Sequence, residues 1–72
     1  MRTYLTKDEV TYIRSEGDQV INITLSANKI IVELEQIRTS NKKVIRGLTE
    51  FGDEIYVAEK NLVLVPFEAE VN

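Results

Sequence analysis

The sequence predicts a mainly β (α+β) fold: a short N-terminal helix followed by a five-stranded antiparallel meander. Three observations lead there. From residue 19 onward, apolar and polar side chains alternate with a period of two in successive short runs, the spacing of a strand with one dry face. Polar segments carrying Gly, Asn, Asp or Ser separate those runs. Ahead of them, residues 5–10 carry the signals of a helix start.

The helix is expected over residues 7–15. Thr6 has the chemistry of an N-cap, and Glu9 three residues later can complete a capping box. Leu5 and Val10 sit where a hydrophobic staple needs them, and Asp8 and Glu9 suit the positive end of the helix dipole. Gly17 is placed for the C-terminal cap. The inward face would be Val10, Ile13 and Tyr12. A strand over residues 9–14 competes, because Val-Thr-Tyr-Ile is β-prone; the capping signals favour the helix.

The core is expected to form on a hairpin spanning residues 19–38. Ile21, Ile23 and Leu25 alternate with Asn22, Thr24 and Ser26. Residues 26–29 have turn chemistry. In the returning strand Ile30, Val32 and Leu34 form the inward face, and Ile31, Glu33, Glu35 and Ile37 the other. Ile30, Leu34 and Ile37 also fit a helical stripe, but the β-branched run Ile30-Ile31-Val32 favours a strand.

Three strands complete the meander. Residues 43–48 place Val44, Arg46 and Leu48 on one face and Ile45 on the other, with Gly47 marking a bulge or a close approach. Residues 54–58 put Ile55 and Val57 together and Tyr56 opposite. Residues 62–67 are apolar on both faces, and Pro66 ends that strand or confines it to an edge. Residues 68–72 read as a frayed tail. The segment Glu54-Ile55-Tyr56-Val57 followed by Asn61-Leu62-Val63-Leu64-Val65 resembles the strand–turn–strand ending of many small barrels, a pattern shared by unrelated proteins. Short strands joined by tight turns curl into a small SH3-like barrel or remain a curved sheet covered by the helix.

Seventy-two residues make one domain with a modest core. There is no Cys and no His, so disulfides, thiolate metal sites and Ser–His or Cys–His nucleophiles are excluded. No cofactor is expected and no enzyme activity. No apolar run approaches the ~20 residues of a membrane span, and residues 1–5 lack the apolar core of a signal peptide; a cytoplasmic or intraviral location is expected. Glu33 and Glu35, two apart on a strand, share a face and read as a solvated pair. Asp53 and Glu54 beside Gly52 read as a turn and not as a cation site.

Two stretches point to binding. Arg38, Lys42, Lys43 and Arg46 are cations with no acid among them, a candidate site for an anionic partner, whereas residues 50–70 are mostly acidic among their charges. Tyr12, Phe51 or Tyr56 nearby would let such a loop stack nucleic-acid bases. Leu62, Val63, Val65 and Phe67 are a candidate interface with a protein partner or a second copy. The function expected is a small non-enzymatic protein–protein interaction or regulatory module of bacterial or phage type, able to form a homo-oligomer. The alternative is a nucleic-acid-binding β-barrel using loop 38–46.

Overall fold

The structure is a computed structural model and describes residues 2–66. The strands are β1 (Thr3–Thr6), β2 (Val10–Glu16), β3 (Gln19–Leu25), β4 (Ile30–Arg38), β5 (Lys43–Leu48), β6 (Glu54–Ala58) and β7 (Leu62–Val65), with a 3-10 turn (Glu59–Asn61) before the last. Five strands form one sheet in the order β6-β5-β4-β1-β7, while β2 and β3 form a separate ribbon. Every pairing is antiparallel and neither sheet closes by hydrogen bonds.

The expected N-terminal helix is absent from the described residues; residues 10–16 are β2. The reason lies in Thr6. Its hydroxyl, fully buried, donates to the carbonyl of Ser26 at 3.0 Å and accepts from the amide of Lys29 at 2.9 Å. Its backbone bonds the same turn, accepting from Asn28 N at 2.8 Å and donating to Lys29 O at 2.9 Å. Thr6 therefore clamps a turn that lies far along the chain and caps no helix. Freed from capping, the β-prone Val-Thr-Tyr-Ile segment pairs with β3 across a two-residue loop. Gly17 supplies the positive φ (59°) that a type II′ hairpin needs at its first central position.

The expected pairing of β3 with β4 is also absent. Both strands exist, but β3 pairs with β2 from Val10↔Leu25 to Glu16↔Gln19, and β4 pairs with β1 and β5. The connection at 26–29 is a corner held by Thr6, with Asn28 in the left-handed region at φ 66°. Only β4-β5-β6 is a meander, because β1 inserts between β4 and β7.

The inward face of β4 is the reverse of that expected. Ile31 is completely buried, whereas Ile30 is 51% and Leu34 38% exposed. The pairing shifts between Glu33 and Glu35, so Leu34 is the extra residue of a β-bulge. The core consists of Tyr4, Leu25, Ile31, Ile45, Ile55, Val57 and Leu62, with Val10 and Tyr12 of the ribbon packed against it. Ile55 and Val57 face inward and Tyr56 outward, as their alternation predicts. Gly47 is the close approach: a Cβ there would overlap the Ile31 Cγ2 methyl and lie 3.1 Å from the Val32 carbonyl oxygen. β7 stops at Val65, just before Pro66. Phe67 and the expected frayed tail at 68–72 lie outside the described residues.

Candidate functional site

With no His or Cys in the chain, its carboxylates would carry any acid–base chemistry. The bulge at Leu34 separates Glu33 from Glu35. Glu33 pairs with Gly47 and Glu35 with Arg46, adjacent residues that point to opposite faces of β5. The expected same-face pair is therefore split. Glu33 accepts a 2.8 Å hydrogen bond from the Tyr4 phenol and one at 3.2 Å from the Gln36 amide. Burial works to raise the Glu33 pKa, but these two bonds and the charge of Arg2 outweigh it and hold the carboxyl below its ordinary value. Burial first, and then the Glu33 carboxylate, push the Tyr4 phenol up.

Glu35 and Glu54 flank Arg46, at 2.9 and 2.8 Å from its guanidinium. Asp53 accepts from Tyr12 at 2.6 Å and from Arg14 Nε at 3.2 Å. Each of these carboxylates is already engaged, and among the described residues no group of three acidic, His or Cys side chains converges to hold a metal.

The four cations of residues 38–46 separate into two groups. Arg46 lies mid-strand between its two acids, its charge more than offset by theirs. Arg38 and Lys43 are cross-strand neighbours beside the turn that carries Lys42. Thr39 organises that turn, its hydroxyl accepting from Lys42 N at 3.1 Å and donating to Lys42 O at 3.1 Å. There a shallow concavity of about 320 Å³ lies between Asn41, Lys42 and Lys43 on one side and Ala58, Glu59 and Lys60 on the other. Lys43 spans it with a 3.0 Å ion pair to Glu59. Lys60 joins this group although it is distant in sequence, and only the curl of β6 into the 3-10 turn reveals it.

Aromatic support for nucleic acid is poor. Tyr12 is committed to Asp53. Phe51 sits in the turn at the other end of β5, roughly 15–20 Å from Lys43 at about 3.3 Å per residue. Tyr56 is exposed on the outward face opposite Arg46.

The apolar candidates form a broader surface than expected. Residues directly opposite in an antiparallel pair share a face. Leu5 is opposite Ile30 on one side and Val63 on the other, which makes the row Ile30–Leu5–Val63. The next row is Leu48–Val32–Thr3–Val65. Both rows are on the solvent side of the sheet, since the alternate residues Tyr4, Ile31 and Leu62 are buried. Val63 and Val65 thus lie on this surface, while Leu62 belongs to the core and cannot touch a partner. Leu5, Ile30 and Val32 escaped the sequence reading because β1 was not recognised as a strand lying beside β4. No helix among the described residues is long and apolar enough to cross a membrane.

These features define a small antiparallel β protein with a contiguous apolar surface on the outward side of an open sheet. Comparison with family models, with characterised proteins and with solved structures found no match.

Proposed function

We propose that the chain is a non-enzymatic protein-binding module that engages its partner through the outward face of β4, β1 and β7. The observation that carries this reading is the pair of adjoining apolar rows, Ile30–Leu5–Val63 and Leu48–Val32–Thr3–Val65, on the solvent side of the sheet. Contiguous apolar surface on a small protein marks an interaction site more often than isolated exposed residues do. The engaged state of Glu33, Glu35, Asp53 and Glu54, together with the lack of His and Cys, argues against acid–base or nucleophilic catalysis. The finer fold reading is an open SH3-like barrel. It is supported by Ile55 and Val57 of β6 and Leu62 of β7 sharing one core although their strands lie at opposite edges of the sheet.

The test compares capture by the wild type with capture by Ile30→Glu, whose side chain is half exposed, after circular dichroism has shown equal folding. A protein held by the wild type and lost with Ile30→Glu supports the reading. Equal capture by both variants overturns it. A low-salt mobility shift with a random oligonucleotide decides the nucleic-acid alternative. Binding that weakens steeply with salt and disappears in Lys42→Glu/Lys60→Glu would replace the protein-binding reading with that one.

A further inference from the structure

We propose that two copies of this chain associate edge to edge through β7, antiparallel, extending the sheet across a twofold axis. The inference rests on the reading of the apolar β7 surface as a contact surface and names its occupant. One edge of β7 is bonded to β1. On the other edge the Leu62 amide donates to Glu59 O at the end of the 3-10 turn, and no further backbone hydrogen bond joins that edge to a described residue, so the Leu64 amide and carbonyl are open.

The side chains say what kind of occupant fits. Val63 is 47% and Leu64 48% exposed, and they point to opposite faces: Val63 lies with Leu5 on the outward side, Leu64 with Tyr4 on the inward side. A helix laid on the outward face would cover Val63 and leave Leu64 bare. A strand added in the plane of the sheet covers both, because its own side chains alternate above and below.

Edges are ordinarily protected by charge, proline or a bulge. Residues 62–65 are Leu-Val-Leu-Val and contain none of these. The opposite edge strand, β6, begins with Glu54 and is followed by Glu59. The stretch of β4 that extends past β1 carries Glu35 and Arg38. β7 is therefore the uncharged edge.

A twofold contact requires a surface complementary to itself. An uncharged apolar strand meets that condition. In antiparallel register centred on Leu64, Val63 of one copy lies opposite Val65 of the other. A twofold axis normal to the sheet makes the two edge strands antiparallel. In that register residues 63–65 of the two strands pair, a small contact, so the association is weak and concentration-dependent.

Sedimentation of the full chain from about 10 µM to about 1 mM tests this, a range suited to weak association. The wild type is expected to move from monomer to dimer across it. Leu64→Lys should weaken association at least about tenfold with an unchanged circular dichroism spectrum. Val63→Lys should do the same and serves if Leu64→Lys does not fold. Ile30→Glu, on the outward face but away from the edge, should leave association within about twofold.

A wild type that stays monomeric near 1 mM overturns the proposal. So does Ile30→Glu disrupting the dimer as strongly as Leu64→Lys, which would mean face-to-face packing. A monomer whose capture of another protein still depends on Ile30 removes the dimer and leaves the protein-binding reading standing.

Discussion

The phenol of Tyr12 donates a 2.6 Å hydrogen bond to Asp53 Oδ2, joining the β2–β3 ribbon to the turn between β5 and β6. Arg14 reaches the same oxygen, at 3.1 Å from Nη2. That turn is itself built on Thr49, whose hydroxyl accepts from the amides of Phe51 and Asp53, each at 3.2 Å. The ribbon has a half-buried inward face and, among the described residues, no strand partner outside itself. Its position over the core therefore depends on this contact and on Val10, Tyr12 and Leu25 packing. Tyr12→Phe keeps the ring and removes the bond to a charged acceptor. It is expected to cost about 1–2 kcal/mol in urea unfolding, since the site is partly exposed. It should also speed amide exchange in residues 10–25 more than in β4 and β5.

The Tyr4–Glu33 pair predicts how stability varies with pH. The Glu33 carboxyl titrates below its ordinary value in the folded state. Its contribution is therefore present above the unfolded value of about 4.3 and is lost as pH falls through the folded value. The Tyr4 phenol titrates above its ordinary value, through burial first and then Glu33. Its contribution is complete below about pH 10 and is lost as pH rises through the folded value. Glu33→Gln should thus lower the urea midpoint at pH 7, and its deficit should shrink as both proteins are taken toward pH 3. A deficit that stays constant between these two conditions would place the effect outside the titration of Glu33.

Why these contacts were hidden in the sequence is a question of range. The strands at 19–25, 43–48 and 54–58 were legible because each needs only its own alternation and a flanking turn. Ile30-Ile31-Val32 was ambiguous in parity, since three apolar residues in a row suit either face. The choice is made by the bulge at Leu34 and by Leu5 lying opposite Ile30, neither of which is a local signal. The Thr6–Glu9 spacing imitates a capping box, yet the hydroxyl is used by a turn at 26–29. Of the candidate site, the basic loop was visible as charge. Its division into Arg46, paired with Glu35 and Glu54, and Lys42 and Lys43, gathered with Lys60, depends on cross-strand register.

Thr6 ties β1 to the 26–29 turn. Its buried hydroxyl makes both a donated and an accepted bond to the 26–29 turn. Thr6→Val preserves shape and removes both, leaving the Ser26 carbonyl and the Lys29 amide without that partner. A loss of about 2–4 kcal/mol is expected, from two such groups at about 1–3 each with partial relief by water. Thr6→Ser should retain most of the stability, because the hydroxyl remains and only a methyl is lost, worth about 1 kcal/mol. Thermal unfolding separates the two, at about 4–8 °C per kcal/mol for a domain of this size. If the Thr6 hydroxyl capped a helix, Glu9→Ala would add a comparable loss; with the observed bonding it should change stability by less than about 0.5 kcal/mol.

Gly47 tests the packing of the sheet itself. It sits in β5 opposite Glu33 and Ile55, with no left-handed backbone to require glycine. What requires it is space: a Cβ at this position would overlap the Ile31 Cγ2 methyl, and Ile31 is fully buried at the centre of the core. Ile31 cannot swing away without displacing its neighbours, because interiors are packed to crystal-like density. Gly47→Ala should therefore destabilise by about 1–3 kcal/mol, although alanine is ordinarily the better residue within a strand because glycine loses more backbone freedom on folding. Ile31→Leu removes the Cβ branch that carries the Cγ2 methyl and, as a volume-conserving swap, on its own costs less than about 1.5 kcal/mol. In the Gly47→Ala/Ile31→Leu double variant the two losses should be less than additive, since the side chain at 31 no longer places a methyl where the new one enters. Strict additivity in urea unfolding would show that the methyl is accommodated elsewhere, and that Gly47 is not held small by Ile31.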